Sequence, residues 1–325
     1  MTKLNRWLAV CLGIAVLSSW GGCADPGAQR ADDGRLRIAM IPKGTTHAFW
    51  RSVEAGAVQA AQDLDVNLIW RGPLREDDRA QQIELVEQFV NERVDGIALA
   101  PLDHEALRRP VLDARSRDIP VLIFDSPLEG EVGRDFLSLV ATDNRAAGYA
   151  GGQTLAEKLG GQGKVVLLRY QEGSASTMQR EAGFLDAIAE YPDIEVIVDN
   201  RYGGATAGEA QQEAERMLDR LREADGIFTV NESSTMGMLV ALRGNRIEGK
   251  VFVGFDSSTE LLRGLRQGEL QALISQNPQR MGYQALETMV AALRGESVEP
   301  LIDTGYVVVT PENVDTPEIR AVTGQ

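Results

Sequence analysis

From residue 36 onward, short apolar runs alternate with longer stretches whose apolar residues recur every three or four positions. The runs at 36–41, 67–70, 96–100, 121–124, 164–169, 194–199, 226–230, 251–255 and 272–275 have the length and composition of strands buried on both faces. Between them, Ile83, Val86 and Val90, or Phe184, Leu185 and Ile188, are spaced to bury one side of a helix. Regular strand–helix alternation predicts parallel sheets covered by helices on both faces. Nine strands exceed what one small doubly wound sheet needs, and the pattern breaks near Val140-Ala141-Thr142-Asp143, so two lobes are expected.

The two halves echo each other. Pro120-Val121-Leu122-Ile123-Phe124-Asp125 and Lys250-Val251-Phe252-Val253-Gly254-Phe255-Asp256 both read as strands that end in Phe-Asp. In open parallel sheets the residues just past the carboxyl ends of strands face the ligand crevice. Each lobe therefore presents one aspartate, Asp125 or Asp256, to a shared cleft.

Ahead of this alternation, Lys3 and Arg6 precede an apolar run from Trp7 to Leu17, followed by small residues and Cys23. That is a secretory signal over 1–22, too short to span a membrane. Both cysteines of the chain, Cys11 and Cys23, fall in this export region, so the folded part is expected to hold no disulfide. Ser19-Trp20-Gly21-Gly22-Cys23 resembles a bacterial lipoprotein box, in which Cys23 is lipidated and becomes the first mature residue; Trp20 departs from the usual leucine. The small and polar residues over 23–35 suit a tether between anchor and domain. The protein is thus expected outside the cytoplasm, periplasmic or at the cell surface.

Removing 1–22 takes away Lys3 and Arg6 and no acid, moving the formal charge from −15 to −17. Such a surface repels phosphate backbones, which argues against nucleic-acid binding. The stretches Arg71 to Arg79 and Leu107 to Arg117 mix arginine with acids and read as solvated loops or helix faces. For catalysis the chain offers no Gly-x-Ser-x-Gly, no His-Glu-x-x-His and only two histidines, His47 and His104. No enzyme, metal site or cofactor is expected. Gly160-Gly161-Gln162-Gly163-Lys164 resembles a phosphate loop, but it precedes a strand and reads as a helix stop.

Pro120 to Asp125, Ala141-Thr142-Asp143-Asn144, Gly254-Phe255-Asp256 and Leu273 to Gln276, in this order, resemble the ribose/galactose-type periplasmic binding proteins over roughly 36–309. The resemblance implies the type I fold: two doubly wound parallel-sheet lobes joined by a three-segment hinge, with crossings near 141–143, 275–277 and 299–303. The N-terminal lobe then comprises 36–141 plus 276–300, and the C-terminal lobe 142–275 plus 301–325. It also implies a function, capture of a small polar ligand, most simply a monosaccharide, for the membrane permease of an ABC importer, by a receptor that works as a monomer. A sensory receptor that signals to a chemoreceptor or membrane kinase would have the same lobes. The repressors related to this fold carry a DNA-binding module where this chain has its export signal.

Carried onto this chain, the resemblance places the ligand among His47, Phe49, Trp50, Asp125, Thr142, Arg180, Asn231, Phe255, Asp256 and Gln276. Phe49 and Trp50 would stack on a sugar ring, whose C–H faces suit aromatic surfaces. Asp125 and Asp256 would accept hydroxyl hydrogen bonds, Arg180 would donate, and Asn231 and Gln276 could do both. Thr142 and Gln276 also read as hinge residues, and Asp or Asn at a strand end commonly caps the next helix. His47 replaces a usual asparagine, and Ala100 and Ser126 stand where ribose binders carry asparagine and arginine, so the ligand need not be ribose. Two aspartates against one arginine leave the cleft about one charge negative, which favours a neutral or weakly cationic ligand.

Overall fold

The computed structural model describes residues 34–325. The expected signal peptide, Cys23 and nearly all of the tether lie outside the described residues. The chain from Arg35 to Gln325 is one compact unit built on two six-stranded sheets.

The first half runs β1 (Arg37–Ile41), α1 (Ala48–Leu64), β2 (Asn67–Trp70), α2 (Arg79–Glu92), β3 (Gly96–Leu99), α3 (Arg108–Ser116), β4 (Val121–Phe124) and β5 (Leu139–Ala141). The second runs α4 (Asn144–Lys158), β6 (Gln162–Arg169), α5 (Ala175–Ile188), β7 (Asp193–Tyr202), α6 (Ala207–Arg216), α7 (Leu218–Glu223), β8 (Gly226–Thr229), α8 (Glu232–Gly244), β9 (Val251–Phe255), α9 (Thr259–Arg266) and β10 (Ala272–Gln276). The chain then returns to the first lobe through α10 (Pro278–Leu293) and β11 (Leu301–Asp303), and closes on the second with β12 (Tyr306–Val309) and α11 (Pro317–Thr323).

The strand orders are β11-β5-β4-β3-β1-β2 and β12-β10-β9-β8-β6-β7, the same doubly wound order twice over. Strands β3, β4 and β8 are buried throughout, as their unbroken apolar runs require. The sequence pattern does not single out β5, β11 or β12. The first two are three residues long and β11 is half exposed, too little for a periodicity to register. The third, β12, pairs antiparallel with β10, the one departure from parallel pairing between the named strands.

The lobes cross where side chains fasten the crossing. Asp143 and Asn277 each accept a hydrogen bond from the first turn of the helix that follows, α4 and α10. The third crossing falls at 304–305, not within 299–303: Leu301, Ile302 and Asp303 pair in parallel with Leu139, Val140 and Ala141 and so belong to the first sheet. Gln276, conversely, pairs with Tyr306 in the second sheet. The first and third crossings are tied together, since Thr142 Oγ1 lies 3.3 Å from Thr304 Oγ1 and Asp303 Oδ1 accepts the Asp143 N–H at 3.1 Å.

One core sandwiches each face of each sheet. In the first lobe α1 and α10 cover one face with Val53, Ala57, Met281, Ala285 and Met289, while α2 and α3 cover the other. In the second lobe α4 and α5 oppose α6, α8 and α9 across the sheet. Among the described residues no helix is long and apolar enough to cross a membrane.

Candidate functional site

Doubly wound order sets the site. Strand order reverses between β1 and β3 and again between β6 and β8, so the loops after these strands splay apart and leave a crevice at their carboxyl ends. The two crevices face each other, and between them lies a small cavity.

Asp125 and Asp256 directly follow β4 and β9, and both adopt a left-handed backbone, φ 61° and 69°. Neither is a helix cap, unlike Asp65 and Arg93 with similar φ. A non-glycine residue held in this region costs free energy that the surroundings must offset, and both residues line the cavity.

Lys43, from the loop after β1, sits 3.0 Å from Asp125 and donates to Ser176 Oγ at 2.8 Å and Ser174 Oγ at 3.3 Å on the opposite lobe. It supplies beside Asp125 the cation that Ser126 lacks. Ser126 instead accepts the Ser176 N–H across the lobes at 3.1 Å.

Arg180, on α5, is buried beneath the cavity. Its Nε donates to Asn144 Oδ1 at 2.8 Å, its Nη1 to the Val230 carbonyl at 2.9 Å, and its guanidinium lies 4.0 Å over the Phe255 ring. Among the described residues, Nη2 has no hydrogen-bond partner. Burial lowers the Arg180 pKa, against the pull of Asp256, Asp125 and Glu76.

A second cluster forms on Glu76. Its carboxylate takes His47 Nδ1 at 2.5 Å, the Trp50 indole N–H at 2.7 Å and, from the second lobe, the Tyr170 hydroxyl at 2.9 Å. Burial would raise its pKa, but the charge and hydrogen bond of His47, with Lys43 and Trp50, bring it down to about 2. Burial would lower His47, and Glu76, Glu232 and Asp256 outweigh it and raise it to about 9. The pair is therefore charged across the neutral range.

Asp256 is held differently. Its Oδ2 accepts the Glu232 N–H and its Oδ1 the Gln276 side chain, both at 2.8 Å. Burial dominates and pushes its carboxyl up to about 6, against the opposing pull of Arg180 and the Gln276 hydrogen bond. Glu232 reaches across the cleft to the N-terminus of α1, where it accepts the Ala48 and Phe49 N–H groups at 3.1 and 2.9 Å.

Of the ten residues the sequence singles out, eight border this cavity: His47, Phe49, Trp50, Asp125, Arg180, Asn231, Asp256 and Gln276. Two do not. Thr142 is occupied in the hinge with Thr304 and the Gly305 carbonyl. Phe255 is fully buried under Arg180, because it is the last inward residue of β9 and only its successor turns to the cleft. Phe49 and Trp50 meet edge to face at 4.9 Å, with Trp50 also against Phe124 in the core. Asn231 doubles as the cap of α8 through Ser234.

Sequence reasoning missed Lys43, Glu76, Tyr170, Ser176 and Glu232. The Arg71 to Arg79 stretch, read as solvated, carries Glu76 at 7% exposure. The signal that could have found it is position, since the segment follows the carboxyl end of β2, on the edge that faces the crevice. In formal charge the cavity holds Asp125, Asp256, Glu76 and Glu232 against Lys43, Arg180 and His47, one net negative charge, the balance inferred from the three residues alone. Among the described residues no group of three or more His, Cys, Asp or Glu is placed to hold a metal ion.

Fold and site together define a two-lobed, hinged ligand receptor. The chain belongs to the periplasmic binding protein family: the family's domain model, described as a periplasmic binding protein domain, matches residues 38–297. It is similar to the D-allose-binding periplasmic protein of Escherichia coli, 28% identical over 81% of this chain and 86% of the relative. The xylitol-binding protein of Mycolicibacterium smegmatis is 28% identical over 97% of this chain and 86% of its own. Among solved structures, the periplasmic component of an ABC-type sugar transport system from Hahella chejuensis superposes with a TM-score of 0.81 at 37% identity, covering 84% of this chain and 99% of that one. A carbohydrate transporter solute-binding protein from Agrobacterium radiobacter, in complex with D-arabinose, gives 0.85 at 31% identity, covering 90% and 99%.

Proposed function

We propose that this protein is an exported receptor that captures a sugar or related polyol, most simply a monosaccharide, between its lobes and delivers it to the permease of an ABC importer. The observation that carries the reading is the cavity at the facing strand ends, where Arg180, Asp125, Asp256 and Asn231 converge beside Phe49 and Trp50. Its acceptors outnumber its cations, which suits a ligand rich in hydroxyl donors and disfavours a phosphorylated one. The relatives whose names give a ligand point the same way. The receptor acts as a monomer held near the membrane by a lipid on Cys23, and the intact mass of the mature protein reads that modification. Ligand favours the closed form by its contacts with the second lobe and only by the difference in affinity between the two forms.

The test is a thermal-shift screen of protein stripped of ligand by unfolding and refolding, against pentoses, hexoses, polyols, amino acids and nucleosides. A ligand at a hundred times its dissociation constant adds about 2.7 kcal/mol of stability. A shift with one sugar and not its epimers is the expected result; a shift only with amino acids or nucleosides would overturn the sugar assignment.

Binding should also release a proton. With its carboxyl raised from 3.8 to about 6, Asp256 favours the protonated form of the empty site, and the stability this proton lends fades as pH rises through 6. A ligand hydroxyl that donates to the carboxylate favours the ionised form and lowers this pKa on binding. Affinity is therefore expected to rise roughly fivefold from pH 5 to 8 and to level off above 7, with His47 and Glu76 charged throughout. Titration calorimetry in buffers of different ionisation enthalpy would show the released proton; affinity that is flat or higher at pH 5 would remove Asp256 as a hydroxyl acceptor.

A further inference from the structure

Beside the first cavity, and sharing Phe49, Glu232, Asp256 and Gln276 with it as a common wall, lies a second, slightly larger one. It too is built from both lobes: Ser52 of α1 and Gln279 of α10 on one side, Ser257 and Ser258 after β9 on the other, with Thr323 of α11 closing the end. Two buried polar atoms here have no partner, Gln276 Oε1 and Ser258 Oγ. Gln276 is 2% exposed. Its Nε2 is fixed on Asp256, which leaves the carbonyl oxygen as a committed acceptor with nothing to accept. A buried acceptor in this state costs free energy that a donor from a ligand would recover.

We infer that the binding site is bipartite and that this second compartment takes a second hydroxylated unit of the ligand, so that the preferred ligand is two linked neutral polyhydroxyl units, of disaccharide size. The inference rests on the sugar-receptor reading and extends it. Hydroxyls match the compartment because it offers serine and threonine hydroxyls, amides and an orphan acceptor. A phosphate or carboxylate does not match, since the walls carry Glu232 and Asp256 and no lysine, arginine or histidine. Glu232 is part of the wall between the compartments, and its carboxylate accepts two backbone N–H groups at the start of α1. The linkage between the two units is then expected to pass beside this shared wall.

The test is calorimetry on the stripped protein with glucose, galactose, ribose and arabinose against maltose, cellobiose, lactose, melibiose, trehalose and arabinobiose. At least one disaccharide is expected to bind tenfold or more tighter than either of its component monosaccharides. Ser258→Leu and Ser52→Leu fill the compartment from opposite lobes. Neither residue caps its helix through its side chain. Each is expected to erase the disaccharide advantage and leave monosaccharide affinity unchanged. If monosaccharides bind and no disaccharide binds tighter, or if both leucine variants retain the advantage, the second compartment is not a ligand subsite and the sugar reading stands without it. If no sugar of either size binds, the sugar reading fails and takes this inference with it.

Discussion

Arg180→Ala is expected to reduce ligand affinity about thirtyfold or more. The side chain is 2% exposed, and its Nε and Nη1 are engaged by Asn144 and Val230. Only Nη2 remains for ligand, and the guanidinium is the cation that faces both Asp256 and Asp125. Truncating one partner of such a buried, hydrogen-bonded charge group costs roughly 2–5 kcal/mol, because Asp256 loses the guanidinium charge that opposes its burial. Arg180→Lys should recover little, since an ammonium cannot hold Asn144, the Val230 carbonyl and a ligand oxygen with one planar fork. Calorimetry with the ligand found in the thermal screen measures the loss, and a melting curve confirms that the variants are folded. Affinity within tenfold of wild type in both would remove Arg180 from the binding machinery.

Gly148→Ala is expected to cost about 3 kcal/mol of stability, where alanine in a helix ordinarily gains up to about 1 kcal/mol over glycine. A Cβ on Gly148 would lie 2.1 Å from the Arg180 carbonyl oxygen and 2.6 Å from its Cα, so α4 and α5 must separate. Gly183, on the other helix of this crossing, is equally closed, 2.0 Å from the Arg145 carbonyl. The same device recurs in the first lobe, where Gly56 of α1 meets Gln279 and Gly282 of α10 meets Val53, both at 1.9 Å. Because α5 carries Arg180, Gly148→Ala should lower affinity as well as the melting temperature. Gly244→Ala, with nothing within 4 Å, is the control and should be neutral or stabilising. A Gly148→Ala protein as stable as wild type would mean that α4 and α5 are not locked by this contact.

These two cases mark where sequence reading stops. The strands were legible because burial on both faces demands unbroken apolar runs, and β4 and β9 were recognisable as equivalents by the Phe-Asp at each end. Asp125 and Asp256 could be placed at a cleft from strand polarity alone. Glu76 could not: within Arg71 to Arg79 it has the composition of a solvated loop, and it is buried where His47 and Trp50 meet it together with Tyr170 of the second lobe, 94 positions away. Lys43 likewise links the lobes only when Ser174 and Ser176 arrive from the other side.

The sequence by itself determined two doubly wound lobes, the strand ends that face each other and the sign of the cleft's charge, since each follows from periodicity, composition or strand direction within a short window. The tertiary structure alone decided which charges are paired, that Phe255 supports Arg180 from below while Asp256 faces the cavity, that the third crossing lies past β11, and that a second compartment adjoins the first. Those outcomes depend on distances between segments far apart in the chain, and no local pattern encodes a distance across a cleft.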